Sequence, residues 1–149
     1  MGQRAEVGAR GFTLLELVIA LFVIALAVGL VGPAIGRSTD SVRARADVAG
    51  FAAFFRHARE QAITRREALR VVVEPDAHRL TLLAGEDDVL RARVFPERLV
   101  IVPASSNAGT VRFAPEGTST GGEYRLASGS VSYRVTVDPI TGRVRSIRQ

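Results

Sequence analysis

Apolar residues follow three different rhythms along the chain. Positions 17–35, LVIALFVIALAVGLVGPAI, form 19 residues without a charge. At about 1.5 Å per residue, a helix of this length nearly spans a hydrocarbon core of about 30 Å. The run exceeds the roughly 7–15 apolar residues of a cleaved secretory signal. Gly29, Gly32 and Pro33 lie inside it, and Pro33 removes a backbone donor, which predicts a kink. From 38 to 68 the apolar positions recur at steps of three and four. Val48, Phe51, Phe55, Ala58 and Ala62 make one stripe, with Arg43, Asp47, Arg56, Arg59, Glu60 and Arg66 mostly off it. No Pro and a single Gly, Gly50, fall between Arg37 and Arg70. One helix from Phe12 to about Arg66, on the order of 80 Å long, is the simplest prediction. The period then changes to two. LRVVV (69–73), RLTLLA (79–84), VLRARV (89–94), LVIV (99–102), TVRF (110–113), YRLA (124–127), VSYRVTV (131–137) and RVRSI (143–147) read as short strands. Turn clusters rich in Gly, Pro, Asp and Ser separate them, which predicts an antiparallel sheet or small sandwich. The clearest hairpin is VSYRVTV–DPITG–RVRSI, where Val131, Tyr133, Val135 and Val137 alternate strictly.

Composition narrows the chemistry. The 149 residues include no Cys and no Trp, and His57 and His78 are the histidines. Disulfides, thiolate metal sites, a thiol nucleophile and most zinc chemistry are thereby excluded or disfavoured. Neither histidine has a nucleophile or ligand partner by spacing. No catalytic constellation, metal site or cofactor is expected. The turn Glu86-Asp87-Asp88 lacks the spacing of a cation-binding loop and reads as a solvated turn.

The net charge of +5 comes from 20 Arg and no Lys. Such a surplus first suggests nucleic acid or an anionic membrane surface. Its distribution changes that reading. Residues 37–70 carry a net +4 and residues 138–149 a net +2, while 71–137 carry −1. The surplus thus lies on the polar half of the helix and in the tail. Arg4 and Arg10 ahead of the apolar run favour a cytoplasmic N-terminus, although Arg37, Arg43 and Arg45 beyond it weaken the asymmetry.

Glu16 is the one charge in residues 12–36. A carboxylate there costs about 2.5–3.5 kcal/mol on insertion scales, and its own segment offers no partner. Cleavage after Gly11 would create a positive α-amine on Phe12. In a stack of helices that amine could face Glu16 of a neighbour. The alternative is a Glu solvated among headgroups.

The stretch Gly11-Phe12-Thr13-Leu14-Leu15-Glu16-Leu17-Val18 resembles the class III processing motif of type IV pilins and type II secretion pseudopilins. The resemblance implies cleavage by a prepilin peptidase between Gly11 and Phe12, N-methylation of Phe12, and assembly through Glu16, with Thr13 beside it. Three further stretches resemble the GspH/FimT domain. They are Phe51 to Ala62 (FAAFFRHAREQA), closing on Ala58-Arg59-Glu60-Gln61-Ala62, then Phe113 to Gly122 (FAPEGTSTGG), and Asp138 to Val144 (DPITGRV). Two roles share that domain. One is a minor pseudopilin of the periplasmic pseudopilus in type II secretion. The other is a FimT-like minor pilin of a type IV pilus, implicated in pilus assembly and DNA uptake. For the second role, Gly142-Arg143-Val144-Arg145 and Arg148 are the candidate phosphate contacts, with Arg143 and Arg145 expected on one strand face. A charged edge strand that resists aggregation accounts for the same residues.

The expected molecule is an α+β protein with a type IV pilin-like plan. A leader (1–11) precedes a transmembrane helix half (12–36), a periplasmic helix half (37–68) and a β-rich head (69–149). It is expected to act as a structural subunit, not an enzyme. It would be anchored by one span in the bacterial inner membrane with the head in the periplasm. Its expected partners are a prepilin peptidase and the major and other minor pseudopilins. Nucleic acid enters only under the second role.

Overall fold

The computed structural model describes residues 12–149, with the side chains of 29–39 outside that description. The expected leader, with Gly11, and the Pro33 ring behind the expected kink therefore lie outside the described residues. One helix, α1 (Leu14–Arg65), is followed by eight strands. They are β1 (Leu69–Glu74), β2 (Arg79–Ala84), β3 (Asp88–Val94), β4 (Val100–Pro103), β5 (Thr110–Phe113), β6 (Gly122–Ser128), β7 (Val131–Val137) and β8 (Val144–Arg148). The chain divides into two compact units, residues 1–39 and 40–149.

In the first unit the helix starts on a cap. The Glu16 N–H reaches the Thr13 carbonyl at 3.1 Å and the Thr13 hydroxyl at 3.3 Å. A Thr at this position relieves one of the unpaired donors of a helix start, and Glu16 adds favourable negative charge in the first turn. Every side chain from Phe12 to Val28 is exposed. Among the described residues no helix is long and apolar enough to cross a membrane. The expected span falls partly on positions 29–35, whose side chains lie outside the description.

The second unit holds the core. The stripe predicted from spacing is buried at every position, Val48, Phe51, Phe55, Ala58 and Ala62, and Ala44, Ala52 and Phe54 join it. Val42 and Ala46, beside the stripe, are exposed. The helix ends at Arg65, one residue from the expected end at about Arg66. The Glu67 N–H bonds Ala62 O and the Arg66 N–H bonds Ile63 O, with Arg66 at φ 54°. This is the usual left-handed helix stop, here without its usual Gly.

The strands form two four-stranded antiparallel sheets, ordered β3-β2-β1-β5 and β4-β6-β7-β8. Alternation places Leu69, Val71 and Val73 inward on β1, and Tyr124 and Leu126 inward on β6. Helix and sheets share one hydrophobic core. Phe55 shows how: its ring lies 6.5 Å from that of Phe113 in the first sheet and 5.3 Å from that of Tyr124 in the second. Tyr124 is fully buried, and its hydroxyl donates to Ala108 O at 2.8 Å, so the polar atom of this side chain is satisfied. Burial pushes the Tyr124 phenol pKa up, which keeps it a neutral donor.

Candidate functional site

The site in the head is built from three separated stretches. Positions 58–62 lie on the last turns of α1. Of these, Ala58 and Ala62 face the core and Arg59 emerges beside it, half-buried. Its Nε donates to Gly117 O at 3.1 Å and to Thr141 O at 3.0 Å. Gly117 belongs to the loop after β5, and Thr141 to the turn between β7 and β8. One guanidinium thus ties the helix to both loops.

Each loop is shaped to present that carbonyl. Gly117 (φ 89°) turns the β5–β6 connection, with Gly117 N–H on Ala114 O and Ala114 N–H on Thr118 O. Ser119 then joins this loop to the terminal hairpin: its N–H bonds Pro139 O and its hydroxyl donates to Asp138 O at 2.9 Å. In the hairpin, Asp138 Oδ1 accepts from the N–H groups of Ile140 and Thr141 and from the Thr141 hydroxyl. The Thr141 N–H and hydroxyl, with smaller help from Ile140 N–H and the charge of Arg145, hold the Asp138 pKa below its ordinary value. Gly142 (φ 61°) closes the turn, and a Cβ there would meet Gly117 O. Only a glycine lets the two loops approach so closely.

Beside this junction lies an open groove of about 290 Å³ between α1 and the start of β8. Arg56, Arg59 and Glu60 line its helix side, and Arg143, Val144 and Arg145 line the other. Arg56 Nη2 lies 3.5 Å from Val144 O. Four guanidiniums therefore surround one opening with a single carboxylate, Glu60.

The structure sorts the candidate tail arginines. Arg143 and Arg145 are exposed and share the groove. Arg143, however, precedes β8 instead of lying within it, as Gly142 and Arg143 complete the turn. Arg148 has the parity of Val144 and pairs with Tyr133, so it takes the opposite strand face and stays out of the groove. Phe12, Thr13 and Glu16 sit together at the helix start, all exposed, with Thr13 as the cap. His57 is half-buried. The ring of His78 binds Leu99 O through Nδ1 at 3.0 Å. Glu86, Asp87 and Asp88 are exposed, and among the described residues no cluster of three or more His, Asp or Glu is placed to hold a metal ion.

Sequence reasoning gave Arg56 and Arg59 no role in a site: they were charges off the stripe, within a family-like helical stretch. The available signal was the recurrence of Arg59 inside one of three ordered stretches. Those stretches prove to be one spatial cluster.

Comparison with known proteins bears on the family and the fold. A family model described as type II transport protein GspH matches residues 47–142, from the buried helix to Gly142. The chain belongs to this family. A second model, the prokaryotic N-terminal methylation motif, matches residues 8–32. A curated family member, type II secretion system protein H of Xanthomonas campestris pv. campestris, is 33% identical over 141 residues, covering 92% of this chain and 82% of that protein. Among solved structures, the type IV minor pilin FimU of Pseudomonas aeruginosa superposes with a TM-score of 0.59 at 17% identity, over 69% of this chain and 91% of that one. The minor pseudopilin EpsH from the type 2 secretion system of Vibrio cholerae superposes with a TM-score of 0.55 at 18% identity, over 73% and 96%. At these identities the two structures establish a shared fold. An N-terminal helix followed by antiparallel sheets is therefore the plan of this chain and of minor pilins and pseudopilins alike.

Proposed function

We propose that this chain is a structural minor pseudopilin of a type II secretion system. It is made as a precursor, anchored in the bacterial inner membrane by its apolar helix, and incorporated into the periplasmic pseudopilus. The observation that carries this reading is the order of parts in one chain: a methylation motif over 8–32, then a GspH-type head over 47–142. A prepilin peptidase cuts between Gly11 and Phe12, and Phe12 is then N-methylated. The cap at Thr13 supports this reading, because α1 begins only at Leu14 and Phe12, the residue after that bond, precedes the helix. The freed α-amine of Phe12 pairs with Glu16 of a neighbouring subunit when the helices stack with the major and other minor pseudopilins.

The test is Glu16→Ala in full-length protein expressed with the secretion machinery. The variant is expected to reach the membrane and lose its leader normally, yet to be missing from sheared pseudopili. Incorporation at the level of the unaltered protein would overturn the role of Glu16. A second reading, a FimT-like minor pilin of a type IV pilus with Arg143, Arg145 and Arg148 on DNA, is favoured by the likeness to FimU and by the basic groove. It predicts salt-sensitive duplex binding that is lost when these arginines are removed.

A further inference from the structure

The groove at the helix–hairpin junction carries more positive charge than the junction itself uses. Arg59 spends its Nε on Gly117 O and Thr141 O, which leaves its terminal amino groups for another acceptor. Arg143 and Arg145 point to solvent. The ion pairs formed among the described residues are Asp40–Arg43, Glu74–Arg79, Asp47–Arg98 and Glu123–Arg134, and none of them involves a groove arginine. Two of the four cations are also held from behind. Arg59 is fixed by two carbonyls and Arg56 lies against Val144 O, so ordering them on binding costs little.

We propose that this groove is the docking surface for an acidic polypeptide segment of a neighbouring filament subunit, a run of Asp and Glu side chains gripped by Arg56, Arg59, Arg143 and Arg145. Guanidinium forks match carboxylates two bonds at a time, and arginine clusters recur where acidic motifs are read. Three features favour a polypeptide over a nucleic acid. The opening is compact, about 290 Å³, and fits a few side chains. Glu60 stands inside it, which a continuous line of phosphates would have to pass. The basic surface also does not continue along β8, because Arg148 faces the other way, and residues 71–137 carry a net −1. A duplex needs several cations in register with its phosphates. The identity of the occupant as a subunit rests on the pseudopilin reading. The binding itself does not depend on processing, so the two can fail separately.

The experiment uses the full chain in detergent micelles and fluorescence anisotropy with a labelled hexaglutamate peptide. A short DNA duplex of equal label serves as the competing arm. Binding to hexaglutamate is expected, and the pair Arg143→Glu with Arg145→Glu weakens it by about tenfold or more. Arg148→Glu, half that charge change and on the other strand face, leaves it within about twofold. Equal losses from Arg148→Glu, or no difference between the unaltered protein and the double variant, would overturn the groove as a specific site. Tighter binding of the duplex than of the peptide, lost in the same double variant, would overturn the polypeptide assignment in favour of nucleic acid.

Discussion

Arg59 has one position and two consequences. Its aliphatic stem leaves the helix beside the core, and its Nε closes two backbone carbonyls from loops 58 and 82 residues away in sequence. Arg59→Ala leaves both carbonyls without that donor, and hydrogen bonds to a charged group contribute about 1.5–3 kcal/mol. We expect the variant to lose about 1–3 kcal/mol of stability in urea unfolding followed by tyrosine fluorescence, since the chain has no Trp. Gly142→Ala adds a left-handed strain to a Cβ aimed at Gly117 O, and is expected to cost at least as much, about 2 kcal/mol or more. If both variants unfold at the same urea concentration as the unaltered chain, the junction is not what holds the loops together. Neither effect was legible in the sequence. The Arg is one of eight between 37 and 70, and its role depends on two carbonyls whose positions only the folded loops define. Thr13 is a different case. Its spacing to Glu16 is the Thr-x-x-Glu pattern of a helix start, and the cap could have been read from it.

At the scale of elements, the β7–β8 hairpin was predicted almost as it stands, because strict alternation and a DPITG turn leave few alternatives. The limits of β2, β5 and β7 coincide with the apolar runs, and the helix stripe is buried at every named position. The division into two sheets was not legible. β1 pairs with β5 as well as β2, and β4 pairs with β6 across the intervening β5. Such pairings follow from packing over a shared core and leave no local pattern. The terminal turn also titrates. The folded state holds the Asp138 pKa below its unfolded value, so the turn's contribution is present above the ordinary carboxylate range and is lost as pH falls through the folded value. Glu74 behaves alike, its pKa held down by the hydrogen bond from Arg79 across the β1–β2 turn. Asp138→Ala should therefore melt below the unaltered chain at neutral pH, with the gap narrowing toward about pH 3. A gap that stays constant over that range would show that the carboxylate charge has no part in the turn.

At the scale of the whole molecule, two units carry two different kinds of information. The head, residues 40–149, holds every described core residue, and its fold is shared with proteins less than a fifth identical to it. The N-terminal unit exposes its apolar side chains from Phe12 to Val28 and marks its start with a capped turn next to one carboxylate. A surface of that kind calls for a lipid or protein environment. The +5 surplus lies outside this unit's apolar segment, where Glu16 is the one charge in residues 12–36. The central claim is that this is a precursor cut between Gly11 and Phe12 so that the helix can enter a filament. The most direct test is the intact mass of the full chain after co-expression with a prepilin peptidase. The account predicts loss of residues 1–11 and a methylated Phe12 at the new N-terminus, with Gly11→Glu blocking the cut. A chain that keeps all 149 residues in the presence of active peptidase would contradict it.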